Sequence, residues 1–177
     1  MIPEIRTVTY VKCGLPLNPL LLSISVQTYL ENYRYLWDDE GVSYLEKFYN
    51  KETFLRDLQN PSYSYHLIYV DGEIAGYFKT KINSDEDGSG TRSMYLDKLY
   101  ILKAFIGKRI GTEVLLYMES LAKIEGIKVL SLQVMDCSPA KTFYLKNNYK
   151  QIEQTRLDYP LMKKEYNLIL SMEKTIA

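Results

Sequence analysis

The stretch Ile106-Gly107-Lys108-Arg109-Ile110-Gly111-Thr112 has the makings of an anion cradle. It joins an apolar run to an amphipathic helix. The first N–H groups of a helix lack internal partners and sit at the positive end of its dipole. Gly107 and Gly111 let a phosphate approach that backbone without meeting a Cβ, and Lys108 and Arg109 add charge. The same spacing suits a plain strand-to-helix connection with glycines for packing. A second stretch runs from Tyr35 to Glu40. Tyr35, Trp37, Asp38, Asp39 and Glu40 offer aromatic faces and carboxylates that would steer a cation. Its plainer reading is a solvated acidic loop. Asp97 sits inside an apolar run beside Lys98. Both a proton-accepting role and a simple ion pair with Lys98 or Lys79 are open to it.

These residues need elements to position them. Met94 to Leu102 is dense in Leu, Ile and Tyr and suits a strand buried on both faces. Helical spacing then places Val114, Leu115, Met118, Leu121 and Ala122 on one stripe, and Gly126 ends the helix as a left-handed cap. Val129 to Val134 reads as a strand. Ser138 and Pro139 read as the N-cap and first residue of a short helix that closes at Asn148. Upstream, Arg6 to Lys12 alternates as a strand, and helices are expected over Leu20–Tyr33, Val42–Asn50 and from Glu52 to before Pro61. In the first of these, Leu22, Ile24, Val26 and Leu30 are the expected apolar residues. Asp71-Gly72 between Tyr65–Val70 and Glu73–Ile82 is a strong hairpin signal. Asn83 to Ser93 reads as the longest flexible loop. Gln151–Leu157 and Tyr166–Glu173 read as a final antiparallel pair.

Composition narrows the function. Lys plus Arg and Asp plus Glu are both 22, so the net charge is zero and a general nucleic-acid binder is disfavoured. No apolar run reaches membrane-spanning length, and the N-terminus does not read as a signal peptide. The two cysteines, Cys13 and Cys137, read as reduced thiols of a cytoplasmic protein. The one histidine, His66, reads as structural, and no metal site is expected. With no repeat or linker, residues 1–177 read as one domain. The oligomeric state is left open, a homodimer included.

The order of the second half carries a resemblance. A glycine-containing turn opening a helix, then a strand, then Ala140-x-x-Phe143-Tyr144 ending at Asn148-Tyr149, resembles the GNAT superfamily of acetyl-CoA-dependent N-acetyltransferases. In the first half, Ser25–Tyr33, Glu73–Lys79 and Leu96–Ile101 are similar to the bacterial PaiA-type polyamine acetyltransferases. Two positions depart from the family pattern. Ile106 and Arg109 stand where the family loop usually has Gln or Arg and a glycine, and Cys137 stands in place of an Asn.

The resemblance implies an α+β fold. Its mixed, mostly antiparallel sheet has a central parallel pair of strands that splay around acetyl-CoA. It implies that Leu99, Tyr100 and Ile101 border the cofactor, with main-chain N–H groups facing the thioester carbonyl. Residues Ile106 to Thr112 would take the pyrophosphate, Cys137, Ala140 and Phe143 the pantetheine side, and Lys108 and Lys146 either the cofactor phosphates or solvent. Tyr144 falls at the family's general-acid position. Asp97, two residues before Leu99 and so expected on the same strand face, would accept the proton of a small-molecule amine. Tyr35, Trp37 and Asp38 to Glu40 would hold a polyamine acceptor. Two rivals remain. A non-catalytic acetyl-CoA-binding relative fits the altered loop. A dinucleotide-dependent oxidoreductase shares the strand–turn–helix order but requires Gly-x-Gly-x-x-Gly, which is missing.

Overall fold

The computed structural model describes residues 6–83 and 92–176. The loop expected over Asn83 to Ser93 falls largely on residues 84–91, outside the described residues. Seven strands form one sheet: β1 (Val8–Lys12), β2 (Tyr63–Val70), β3 (Glu73–Asn83), β4 (Ser93–Ile101), β5 (Val129–Met135), β6 (Lys150–Arg156) and β7 (Leu168–Thr175). Five helices flank it: α1 (Asn18–Tyr33), α2 (Val42–Phe48), α3 (Lys51–Gln59), α4 (Ile110–Ile124) and α5 (Ala140–Lys146). The sheet order is β1-β2-β3-β4-β5-β7-β6, and every neighbour is antiparallel except β4 with β5. This is the mixed sheet the sequence implied.

Two apolar layers cover the two faces. Ile110, Val114, Leu115, Met118 and Ala122 of α4 pack on Met94, Leu96, Leu130 and Leu132. On the other face, Leu21, Ile24 and Tyr29 of α1 and Phe54 of α3 pack on Tyr65, Leu67 and Tyr77. The inward stripe of α1 is Leu21, Ile24, Ser25, Thr28 and Tyr29; of the apolar residues expected, Ile24 is buried and Leu22, Val26 and Leu30 are only partly so. Thr28 tolerates burial because its hydroxyl donates to the Ile24 carbonyl at 2.8 Å.

The parallel pairing is short. Register runs from Ser93 opposite Val129 to Leu96 opposite Leu132 and stops there. Beyond it, the C-terminal half of β4 loses its β5 neighbour. The expectation of a strand buried on both faces therefore holds for Met94 and Leu96 but not for Asp97 to Ile101, which are all partly exposed. At the same point β4 carries a bulge. Leu96 pairs with Thr80 and Lys98 with Lys79, so Asp97 is an extra residue with no partner on β3.

The bulge reverses the strand's alternation. Leu96 and Leu99 lie in one apolar layer, while Lys98 approaches Tyr49 and Tyr100 of the other. Asp97 joins Lys98 and Lys79 on that second side. The expectation that Asp97 shares a face with Leu99 is thus corrected: period-2 counting fails across an inserted residue.

Candidate active site

The gap between β4 and β5 opens a cleft of about 800 Å³. One wall is the free half of β4. Leu102 donates its N–H to Ala75 on β3 at 2.8 Å, which sets the phase of the ladder. By alternation, Tyr100 also faces β3, and the N–H groups of Leu99 and Ile101 point away from it into the gap. The Ile101 carbonyl, on that same side, accepts from the Asn32 side chain at 3.3 Å. Two aligned donors therefore face a cleft with no strand to receive them.

The floor is the turn before α4. Gly107 has φ +82° and a Cβ there would meet nothing within 4 Å. Arg109, at φ +59°, takes the left-handed conformation where the family pattern usually has glycine. These turns bring the first residues of α4, Ile110 to Thr112, to the cleft wall, where the unpaired N–H groups of a helix start favour an anion. Gly111 has a different reason for being glycine. Its Cβ would stand 3.0 Å from Phe143, so it allows α5 to pack on α4. Packing therefore accounts for Gly111, while Gly107 is explained by its left-handed backbone and has open space around it.

Ile106, Gly107, Arg109, Ile110, Gly111 and Thr112 line this cleft, as do Leu99, Tyr100, Ile101, Cys137, Ala140 and Phe143. Lys108 and Lys146 do not. Lys108 lies over the Phe105 ring at 5.0 Å, and its carbonyl receives Arg6. Lys146 is exposed on the last turn of α5. Ser138 sits two residues before α5, where its hydroxyl accepts from the Ala140 N–H at 3.2 Å. Glu31, Asn32 and Tyr33 at the end of α1 complete the wall; they fall within the Ser25–Tyr33 stretch of resemblance, which by itself assigns them no place in a site.

A second pocket of about 250 Å³ lies on the α1–α2 side. Tyr33, Leu99, Tyr100, Ala140 and Tyr144 line both cavities, so the two meet there. Tyr144 is buried, and that burial, followed by the nearby Tyr33, raises its phenol well above the ordinary value. It keeps its proton at neutral pH. Trp37 lines the smaller pocket, stacked on Tyr44 at 4.7 Å and donating to the Tyr29 hydroxyl at 2.8 Å. Tyr159, distant in sequence, closes the same wall against both Trp37 and Tyr44.

Asp97 faces this smaller pocket. Its Oδ2 pairs with Lys79 at 2.7 Å, while Oδ1 is 3.9 Å from Lys98, beyond hydrogen-bond reach. Burial pushes the carboxyl up, but Lys98 and Lys79 outweigh it and hold the group below its usual range. A carboxylate held low is a good acceptor of hydrogen bonds and a weak base.

The structure does not bring the acidic stretch into either pocket. Asp38 and Glu40 are exposed. Asp39 accepts from the N–H groups of Gly41 at 3.0 Å and Ser43 at 2.9 Å. Those bonds, that of Ser43 foremost, pull its carboxyl below its usual value and fix the start of α2. Tyr35 belongs to the larger cleft, its hydroxyl 3.6 Å from Cys137 Sγ.

The chain belongs to the Acetyltransferase (GNAT) family, which matches residues 27–149. It is an acetyl-CoA-dependent N-acetyltransferase. It is 24% identical to the spermidine N(1)-acetyltransferase of Thermoplasma acidophilum over 152 residues, 82% of this chain and 89% of that one. It is 26% identical to an uncharacterized N-acetyltransferase in the pepI 3' region of Lactobacillus delbrueckii subsp. lactis over 132 residues, 71% of this chain and 75% of the relative. Its fold matches the PaiA N-acetyltransferase of T. acidophilum, crystallised with coenzyme A, at a TM-score of 0.74 and 21% identity, covering 96% of this chain and 99% of that one. No described helix is long and apolar enough to cross a membrane, and no group of three or more potential metal ligands occurs among the described residues.

The cleft suits acetyl-CoA on its own geometry. The unpaired N–H groups of Leu99 and Ile101 fit an amide-bearing arm or a carbonyl. The Gly107–Gly111 turn and the Arg109 side chain fit a pyrophosphate. Bound there, the thioester would supply the activated acetyl group.

Proposed function

We propose that the protein acetylates a primary amine of a polyamine such as spermidine or spermine, by direct attack in a ternary complex. The observation that carries this reading is Asp97 Oδ1. It is a carboxylate oxygen with no hydrogen-bonded lysine, set in an aromatic pocket that opens onto the cofactor cleft. Aromatic rings and one carboxylate suit an ammonium group. Asp97 holds that group, and Leu99 and Ile101 N–H groups stabilise charge on the carbonyl oxygen. Tyr144 gives its proton to the departing thiolate. Asp38 and Glu40 act at a distance, steering a polycation toward Trp37. The spermidine acetyltransferase relative supports the choice of acceptor.

The test is acetyl transfer to spermidine and spermine beside neutral and anionic amines, at low and high salt. Polyamines should be acetylated, with an apparent Michaelis constant that rises with salt, since the Debye length is about 8 Å at physiological ionic strength. Efficient turnover of an anionic acceptor with polyamines inert would end the polyamine reading and leave acetyl transfer in place.

A further inference from the structure

We propose that Lys98 is the base that takes a proton from the acceptor's ammonium group before attack. The inference rests on the amine acetylation proposed above and assigns the proton acceptor within that same pocket.

The argument begins with the bulge. By inserting Asp97, it turns Lys98 toward the acceptor side, where Lys98 lines the smaller pocket. Two lysines now share one face of the sheet, in unlike settings. Lys79 is gripped by Asp57 at 2.9 Å and Asp97 at 2.7 Å, and these carboxylates offset the downward push of burial and hold its ammonium above the usual value. Lys98 has Asp97 at 3.9 Å as its sole ion pair within 4 Å among the described residues. Its amine lies 5.6 Å from the Tyr49 ring centre and 6.0 Å from that of Tyr100. A lysine in such a setting gives up its proton more readily than Lys79, because burial penalises its charge, no carboxylate stands at hydrogen-bond distance, and the ring faces offer only the weaker cation–π attraction.

The surrounding charges agree. Burial pushes Lys98 down, Asp97 pushes it up, Lys79 pushes it down again and Asp57 pushes it up, with the balance below the ordinary value. From the helices, the groups facing this pocket are Tyr29 and Tyr33 of α1 and Tyr44 of α2, with Tyr49 just beyond α2. Burial raises all four phenols, so they stay neutral and add no charge. Asp97, held below its usual range against burial by Lys98 and by Lys79, is the poorer proton acceptor of the two.

The protons balance. The acceptor nitrogen arrives with three and leaves, as an amide, with one. The first goes to the Lys98 amine and then to solvent. As the nitrogen–carbon bond forms and the carbon–sulfur bond breaks, Tyr144 donates to the thiolate. The second nitrogen proton restores the phenol. Asp97 stabilises the lysine ammonium while it lasts.

Two measurements test this. The first is the ¹³Cε titration of Lys98, assigned as the lysine signal absent from Lys98→Gln. It should titrate well below the remaining lysines; titration together with them would overturn the assignment. The second is kinetics with spermidine. Lys98→Arg keeps a positive charge and a long apolar stem but cannot give up its proton. It should fold with an unchanged melting temperature, lose about 100-fold or more in kcat with little change in KM, and lose the acid limb of the kcat/KM profile. An arginine variant with wild-type kcat and pH profile would make Lys98 a structural charge. Wild-type protein that acetylates no amine would instead overturn the proposed function, and the role of Lys98 with it.

Discussion

Lys79 and Asp97 face each other on adjacent strands at 2.7 Å, and Lys79 also holds Asp57 on α3 at 2.9 Å. Tyr65 adds a hydrogen bond to the same Asp57 oxygen at 2.8 Å. One ammonium thus ties a helix to the bulge. Lys79→Met leaves two carboxylates without their cation. It should destabilise the fold by about 3–5 kcal/mol, the usual cost of stranding a buried charge, read as a lower urea midpoint. A midpoint unchanged from wild type would show that the network contributes little.

Tyr144→Phe preserves the ring and removes only the proton. If the phenol protonates the thiolate, kcat should fall by about 10²–10⁴-fold while acetyl-CoA affinity, measured by calorimetry, stays put. Full activity would return Tyr144 to a packing role.

Gly111→Ala places a methyl 3.0 Å from Phe143. Overpacking of this kind costs about 1–3 kcal/mol. Because Phe143 and the α4 turn both line the cleft, the strain should also weaken acetyl-CoA binding. Phe143→Leu in the same chain should recover part of both losses. A double variant that recovers nothing would show that the contact is not the cause.

His66 is buried, stacked on Phe78 at 4.7 Å and 6°, and its Nδ1 has no partner. Burial, with Lys12 nearby, pushes its pKa down to about 4, against about 6.5 when unfolded. Between those values the unfolded chain binds the extra proton. Stability therefore falls as pH drops from about 6.5 toward 4, by roughly 3 kcal/mol in total. Asp97, whose carboxyl is held low, loses its contribution only below about pH 3.9, under this window. Urea midpoints across pH 7 to 4 for wild type and His66→Gln isolate the term. The variant should show a shallower fall, and parallel curves would contradict the linkage.

Much of the frame was legible in the sequence because it is local. Asp71-Gly72 fixed a hairpin, Gly126 and Asn148 closed helices at φ +68° and +67°, and the α4 stripe reads directly at 3.6 spacing. Much of the lining of the larger cleft is legible through the order turn, helix, strand, helix. The smaller pocket is not. Tyr29, Tyr44, Tyr95 and Tyr159 come from four separate segments, and nothing local distinguishes them among 17 tyrosines. Asp39 looked like a ligand because a capping carboxylate and a binding carboxylate share one letter. Counting by twos puts Asp97 on the wrong face, because a bulge leaves no mark in composition.

The inserted residue in β4 also bears on how such an enzyme diverges. Ahead of it and behind it, one strand presents two kinds of surface. In the proposed reaction the donor meets main-chain N–H groups at Leu99 and Ile101, which a point substitution other than proline cannot delete. The acceptor, in that same proposal, meets side chains at Tyr95, Asp97, Lys98 and Tyr100, which line the smaller pocket and are each replaceable one at a time. Choice of acceptor is therefore free to drift by single steps while the means of gripping the thioester is inherited intact.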